Sequence, residues 1–256
     1  MKSINKYPYF LRMALTNQRY VAGVVSSRQL TPSSYGITLE KPLGFSFRPT
    51  QFTFLQIETD EGADARPMSL ATSPTRSTLE YGIRISDSSF KRAFVSLRKG
   101  DEVLVQGPFG HFILDEERPA VLLAGGIGIT PLKGMAEYAA DKGLPIDVRL
   151  VYSNRDEEEI AYRAELEELE KRNPRFSVVH TLTGAVAKKW KGRTGRIDAR
   201  LLQETTHEIA KPVYYVCGTP GLVSSVFETL VSGLSIPEED IRAEVFRGYW
   251  KRELPE

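Results

Sequence analysis

The turn between residues 122 and 135 constrains the fold of this chain more than any other stretch. It reads "LLAGGIGITPLKGM": an apolar run, three glycines within four positions, and Thr-Pro at the start of a predicted helix. Glycine loses more backbone entropy on folding than other residues, so its repeated use here needs a reason. The reason is either a tight turn or a ligand phosphate that must approach the backbone closely.

A second turn has the same design. The stretch "CGTPG" at 217–221 follows another apolar run and again opens a predicted helix. In a parallel sheet both turns would lie at the carboxyl edge, where ligands of α/β proteins bind, and two helix N-termini there favour a dinucleotide. The common fingerprint G-x-G-x-x-G is incomplete, because Pro131 occupies its sixth position and no acidic residue ends the strand at "VYSNR".

Short strands dominate residues 20–115. Five stretches are rich in β-branched and aromatic residues and are separated by turn residues: "YVAGVVSSRQL", "SYGITLEK", "QFTFLQIET", "TLEYGIRIS" and "DEVLVQG". In "ARPMSLATSP" at 65–74, an extended chain would put Arg66 and Met68 on one face and Ser69 on the other. Only residues 88–100 have apolar residues at helical spacing. The pattern predicts an antiparallel six-stranded β-barrel with one helix.

From Ala120 onward, strands alternate with helices predicted at 130–143, 156–172 and 219–233. Such alternation predicts a doubly wound α/β domain with a parallel sheet. The junction is expected at Asp115–Pro119. The predicted organisation is an N-terminal extension at 1–18, the barrel at 19–115, and the α/β domain with a C-terminal tail at 116–256.

Composition narrows the function classes. Lys and Arg number 34 against 33 Asp and Glu, so net charge does not indicate a nucleic-acid or lipid partner. A single cysteine excludes an internal disulfide and an iron–sulfur cluster held by four cysteines of this chain, and no histidine lies in a metal-ligand motif. No apolar run is long enough for a membrane span, and the first twenty residues lack a signal-peptide pattern, so the cytoplasm is predicted. Local basic stretches at 1–40 and 187–200 indicate either a solvated surface or an acidic protein partner.

Six stretches occur in an order that resembles the ferredoxin–NADP⁺ reductase superfamily: "RPMSLATSP", "GDEVLVQGPFGHF", "LLAGGIGITPL", "YSNR", "YYVCGTPGLV" and "AEVFRGYW". The resemblance covers roughly residues 20–250. It implies a flavin-binding barrel followed by a pyridine-nucleotide domain, with FAD and NAD(P)H as cofactors. It also implies hydride transfer from nicotinamide C4 to flavin N5.

The resemblance assigns roles by position. Arg66 would bind the flavin pyrophosphate, Ser69 would hydrogen-bond toward flavin N5, and Cys217 would lie near the reactive carbon of the nicotinamide. Phe246 would shield the flavin ring with Glu244 beside it, although Cys217 and Phe246 also suit an apolar core. The other cofactor-binding residues that it implies are Pro67, Met68, Ile83, Arg84, Ile85, Ser88, Ser89 and Lys91 in the first half. In the second half they are Gly125, Gly126, Gly128, Thr130, Pro131, Ser153, Asn154, Arg155, Gly218 and Pro220.

The chain departs from the family pattern in three places. Met68 stands where an aromatic residue is usual, Thr50 replaces the glycine of a barrel turn, and "SDSSFK" replaces a Gly-x-x-Ser loop. Because of these departures, FMN remains an alternative to FAD as the bound flavin. Ten residues follow Phe246, so Tyr249 or Trp250 could cover the flavin instead.

The sequence does not settle which nucleotide is bound or which molecule accepts the electrons. Arg155 suits the 2′-phosphate of NADPH, whereas Asp156 argues for NADH, and we favour NADPH slightly. The expected partner is an acidic one-electron carrier protein such as a ferredoxin. The alternatives are a non-catalytic flavin- or nucleotide-binding relay or regulatory subunit, and a reductase of a small acceptor such as a ferric chelate, a quinone or free flavin.

Overall fold

The structure is a computed structural model that describes residues 18–184 and 189–246. These residues form two compact units. The first comprises the described residues up to Leu114 together with Lys133–Gly143, and the second comprises Asp115–Leu132 and the described residues from Leu144 onward. The domain boundaries given above stay a prediction. Within the described ranges, no helix has the length and apolar character needed to cross a bilayer.

Six antiparallel strands form the sheet of the first unit, in the order β4-β3-β6-β1-β2-β5. The predicted strand number and pairing direction are therefore confirmed. The strands are β1 (Arg19–Thr31), β2 (Ser34–Glu40), β3 (Phe52–Thr59), β4 (Gly62–Ser69), β5 (Thr78–Arg84) and β6 (Glu102–Phe109).

The predicted helix of the first unit is α1 (Ser89–Ser96). Ser88 caps its N-terminus, because the hydroxyl accepts a hydrogen bond from the backbone N–H of Lys91. Phe90 and Phe94 lie one turn apart and are buried in the same apolar cluster as the inward-facing residues of the strands. The alternating pattern of the sequence thus yields one core that is shared by sheet and helix.

A parallel six-stranded sheet forms the second unit, in the order β10-β9-β8-β7-β11-β12. Its strands are β7 (Ala120–Gly125), β8 (Val148–Asn154), β9 (Phe176–Leu182), β10 (Arg193–Thr194), β11 (Val213–Gly218) and β12 (Ile241–Val245). Its helices are α2 (Ile129–Lys142), α3 (Arg163–Arg172), α4 (Ala199–Thr206) and α5 (Pro220–Glu228), and the second part of α2 packs in the first unit. The strand order reverses between β7 and β11, as the predicted doubly wound fold requires.

The predicted start of one helix is wrong. A helix was predicted over 156–172, but α3 begins at Arg163. Glu157–Glu159 form a separate 3₁₀ turn, and Tyr162 has a φ of 60°, a left-handed conformation that an α-helix cannot continue through. The strand β10 and the helix α4 were not predicted, and β10 has only two residues, which is too few to show a period.

Candidate functional site

The glycine turn begins where β7 ends. Gly125 is still extended, Gly126 has a φ of 52°, and Gly126–Gly128 form a 3₁₀ turn that runs into α2. The hydroxyl of Tyr152 donates a hydrogen bond of 2.9 Å to the carbonyl of Gly126 and fixes the turn from β8. The left-handed φ explains the second glycine of the run, because other residues adopt this conformation at a cost.

Gly128 has a different reason to be glycine. A Cβ atom built on it would lie 2.5 Å from the carbonyl oxygen of Cys217 and 2.7 Å from the Cα of Gly218. These atoms belong to the backbone at the end of β11, so no side-chain rotation could make room. The two predicted turns therefore pack backbone against backbone at the point where the strand order reverses. In this fold, that is the place where ligands bind.

The remaining predicted residues of the glycine turn lie inside the protein. Thr130 and Pro131 are buried in the first turn of α2. The Thr130 hydroxyl donates to the carbonyl of Ile127 at 3.1 Å, so it stabilises the turn itself.

The second turn brings the C-terminal residues beside Cys217. Thr219 caps α5 by accepting from the N–H of Leu222, and Pro220 is the first helical residue. On the other side, β12 pairs Cys217 with Glu244, and the N–H of Phe246 donates to the carbonyl of Gly218 at 2.8 Å. Four predicted residues, Cys217, Gly218, Glu244 and Phe246, are thus brought together. Tyr249 and Trp250 lie outside the described residues.

Cys217 is fully buried. Burial raises the pKa of its thiol well above the usual value, and the negative charge of Glu244 raises it further. The side chain is therefore a neutral thiol at physiological pH. A buried, neutral thiol does not suit nucleophilic attack, which needs the thiolate.

The end of β8 carries the third predicted group. Ser153 and Asn154 are buried, and the Nδ2 atom of Asn154 makes no hydrogen bond of good geometry within the described residues although it lies near the Tyr152 hydroxyl. The side chain of Arg155 is 83% exposed, and its Nε lies 3.7 Å from the carboxylate of Asp156. Such an exposed pair contributes little to stability, so the guanidinium can move to another anion.

In the first unit, β4 carries the predicted residues 66–69. Arg66 donates to Asp64 from Nη2 at 2.6 Å and from Nε at 3.1 Å, and each side chain is 28% exposed. Pro67 is exposed, whereas Met68 is buried in the apolar core of the sheet. Ser69 is also buried and pairs with Phe52 of β3. The β4 strand therefore presents one clamped arginine and one buried hydroxyl.

A second cationic group lies near the start of α1. Burial lowers the pKa of Lys91, and the nearby positive charge of Arg84 lowers it further. Neither side chain forms an ion pair with the residues that the structure describes. The hydroxyls of Ser88 and Ser89 are engaged, with the N–H of Lys91 and with Asp60. Two unpaired cations beside a helix N-terminus favour an anion there.

The neighbours of Arg84 have opposite environments. Ile83 is 5% exposed and belongs to the core, whereas Ile85 is 37% exposed and donates its N–H to the carbonyl of Ser33. Ile83 is therefore held by the core, and Ile85 is available at the surface.

Thr50 explains one departure from the family pattern. Its φ is 74°, and its buried side chain donates a hydrogen bond to the carbonyl of Pro49. The turn needs a left-handed residue, which glycine supplies without strain and threonine at a cost of about 1–2 kcal/mol. The threonine thus keeps the shape of the turn.

Two contacts of the predicted site residues were not predicted from the sequence. Asp64 holds Arg66, and its position two residues earlier on the same strand could have revealed it, because such residues share a face. Tyr152 holds the glycine turn, and no local signal in the sequence indicates that contact. The described residues contain no cluster of three or more acidic, histidine or cysteine side chains that could hold a metal ion.

Comparisons with known proteins agree with this arrangement. The family model of an oxidoreductase NAD-binding domain matches residues 122–228. The chain is 30% identical over 197 residues to a glycine betaine monooxygenase reductase subunit of Pseudomonas aeruginosa, covering 73% of this chain and 53% of the relative. It is 28% identical over 237 residues to ferredoxin–NADP reductase B of Sorangium cellulosum, covering 88% of this chain and 96% of the relative.

The fold is also found among solved structures. A ferredoxin NADP⁺ reductase from Neisseria gonorrhoeae with bound FAD and NADP superposes with a TM-score of 0.74 at 21% identity, covering 89% of this chain and 98% of the other. The chain spans about half the length of the first curated relatives that it matches.

Proposed function

The chain belongs to the ferredoxin–NADP⁺ reductase superfamily of flavin-dependent oxidoreductases, and from this premise we propose that it oxidises NAD(P)H and passes the electrons, through a bound flavin, to a separate acceptor. The observation that carries the proposal is the contact of Gly128 with the backbone of Cys217 and Gly218. It joins two helix N-termini at the reversal of strand order, where backbone N–H groups can bind the phosphates of a dinucleotide.

The residues of the first unit fit a flavin pyrophosphate. Arg66 offers a planar fork, and Arg84 and Lys91 are cations without an ion pair among the described residues. An anion near Lys91 would offset the burial and the repulsion that lower its pKa. A bound flavin supplies the ability to accept two electrons together and to release them singly. We take FAD as this cofactor, because it is the flavin that the family resemblance implies.

Other residues of the chain orient the reactants and exclude water. The Ser69 hydroxyl would hydrogen-bond the flavin ring, and the neutral thiol of Cys217 would lie near the nicotinamide without competing as a nucleophile. Phe246 would cover the ring, and Glu244 would lie beside the thiol. No proton transfer by a side chain is needed for this step.

NADPH is the proposed nucleotide. The support is Arg155, whose guanidinium is exposed and only loosely paired with Asp156, so it can bind a 2′-phosphate. Arg155→Ala should weaken NADPH binding about 10-fold and leave NADH binding within about 2-fold, since one charge-assisted pair is lost. Arg200→Ala, which removes another highly exposed arginine, is the matched control. Equal weakening of both nucleotides would overturn the preference.

The proposed acceptor is an acidic one-electron carrier such as a ferredoxin. The chain has one cysteine and cannot supply four cysteine ligands to an iron–sulfur cluster of its own. Lys189, Lys191 and Arg196 are exposed cations that suit an acidic carrier, whereas residues 1–17 of the basic N-terminal stretch lie outside the described residues. A cytoplasmic location stays a prediction.

Anaerobic titration tests the proposal directly. The purified chain is reconstituted with FAD or FMN, and its visible spectrum is followed as NADPH or NADH is added. Bleaching of the flavin by either nucleotide is expected. Failure to bind any flavin would overturn the proposal, and bound flavin that neither nucleotide bleaches would favour the non-catalytic relay. Ferric chelate and quinone are then compared with an acidic ferredoxin as oxidants of the reduced protein. Faster oxidation by the small acceptors would overturn the proposal that the acceptor is a carrier protein.

A further inference from the structure

Lys133 is a buried charge that the proposed function does not use. It follows Pro131 by two residues in α2, and its side chain is 4% exposed. Its ammonium donates to Glu137 Oε1 at 2.7 Å, to Glu80 Oε2 at 3.1 Å and to the carbonyl of Ala71 at 2.9 Å. These acceptors match the three N–H donors of a lysine. Burial would lower the pKa of Lys133, but attraction to the two carboxylates outweighs burial and raises it, so the ammonium stays charged.

The face of α2 that carries Lys133 makes further contacts with the chain that follows Ala71. The second oxygen of Glu137 accepts from the N–H of Ser73 at 3.2 Å. One turn later, Asp141 accepts from Thr75 Oγ1 at 2.5 Å and from Arg76 Nη2 at 2.8 Å. Helix positions 133, 137 and 141 are four residues apart and lie on one face. This face therefore binds successive residues of the segment 71–76, which follows β4.

Gly134 permits this close approach. A Cβ atom on it would lie 2.9 Å from the carbonyl oxygen of Thr72 and 3.1 Å from that of Leu70. Glu80 also holds the segment directly, because its N–H donates to Thr72 Oγ1 at 2.6 Å and its carbonyl accepts from the N–H of Ala71 at 2.8 Å. Segment 71–76 is thus bound from β5 and from α2.

We infer that Lys133, together with Glu80 and Glu137, is a positioning group that fixes the segment 71–76 and, through it, the hydroxyl of Ser69 two residues earlier. The inference rests on the proposed function, in which Ser69 bonds the flavin. A buried ion cluster stabilises no more than an apolar cluster of the same volume would, but its hydrogen bonds have fixed directions. Such bonds can hold a backbone in one place.

The first arm of the test uses the flavin-free protein. Lys133→Met removes the three hydrogen bonds, and Gly134→Ala separates the helix from the segment without changing a charge. Hydrogen exchange by mass spectrometry should become at least several-fold faster in residues 70–76 of both variants, while β7 and β8 stay protected. Lys171→Met, which removes an exposed lysine paired with Glu168, is the matched control and should change neither region.

The second arm uses the FAD-loaded protein and stopped-flow mixing with NADPH. Both variants should reduce the flavin about 10- to 100-fold more slowly, the effect of a small misplacement of a reacting group. Their nucleotide dissociation constants should stay within about 2-fold of the wild type, because the glycine turn is unchanged. If Lys133→Met does not fold, Gly134→Ala carries both arms.

The two proposals fail in different ways. Unchanged exchange in residues 70–76, or an unchanged rate of flavin reduction in both variants, overturns the positioning role. A wild-type protein that binds no flavin overturns the proposed function, while the exchange arm still tests whether Lys133 fixes the segment.

Discussion

Replacing Gly128 with alanine tests the central contact of the nucleotide turn. The new Cβ atom would lie 2.5 Å from the carbonyl oxygen of Cys217, 2.7 Å from its carbonyl carbon and 2.7 Å from the Cα of Gly218. Ordinary contacts are at least about 3.4 Å, and every opposing atom is backbone at the end of a buried strand. Gly128 has no positive φ, so alanine suffers from the contact alone and not from its own conformation.

The cost follows from overpacking. Inserting one carbon into a packed site typically costs about 1–3 kcal/mol, and the rigid backbone here places the value at the upper end. Replacing glycine with alanine in a helical turn stabilises the turn by less than about 1 kcal/mol, which offsets only part of the overpacking cost. We expect a net loss of about 2–3 kcal/mol, which lowers the urea midpoint by about 1 M. Because the turn must widen, NADPH binding should weaken as well.

Two other glycines provide matched controls. Gly221 in α5 has open space around its Cβ position and no positive φ, so Gly221→Ala should be neutral or slightly stabilising. Gly126 also has open space, but its φ is 52°, so Gly126→Ala should lose about 1 kcal/mol from strain alone. Urea unfolding followed by circular dichroism measures all three. A Gly128→Ala protein as stable as Gly221→Ala, with normal NADPH affinity, would refute the close packing of the two turns.

Three further outcomes are expected. Burial, with repulsion from Arg163, lowers the pKa of His180 from 6.5 to about 4, so the folded protein loses stability as the pH falls through that range. The loss, up to about 3 kcal/mol in urea unfolding, should be absent from His180→Phe, and an equal loss in that variant would contradict the assignment. Asp64→Asn removes a charged acceptor of Arg66, so FAD binding in fluorescence titrations should tighten about 3- to 10-fold, whereas Glu61→Gln should leave it unchanged; weaker binding would mean that Asp64 orients the arginine. Cys217 should resist iodoacetamide in the native protein and react after unfolding, since its buried thiol stays protonated; fast native labelling would contradict its burial.

Much of the fold could be predicted because its signals are local. The strand pattern of the first half yielded six antiparallel strands, and the alternation after Ala120 yielded the parallel sheet. The family assignment also came from the sequence, because motifs such as "RPMSL" and "CGTPG" keep a fixed order along the chain. The strand β10 was missed because two residues are too few to show a period, whereas the eight-residue helix α4 was missed although α1, of the same length, was predicted from its spacing.

The roles given to individual site residues stay predictions, but the structure adds a physical reason at several positions. The sequence marked Gly126 and Gly128 alike, whereas Gly126 has a left-handed φ and Gly128 makes a contact that excludes a side chain. Arg66 contacts Asp64, which lies two residues earlier on the same strand. Cys217 lies beside Glu244 because β11 pairs with β12.

The two kinds of sheet, the glycine turns and the family can be read from the sequence, because they depend on the period and order of neighbouring residues. Which charges are buried depends on contacts that form only in the folded chain. Lys133 looks in the sequence like an ordinary helix lysine, and its role follows from Glu80, which is 53 residues away in the chain and 3.1 Å away in space. Burial and pairing of charge depend on contacts between distant segments, and no local pattern encodes them.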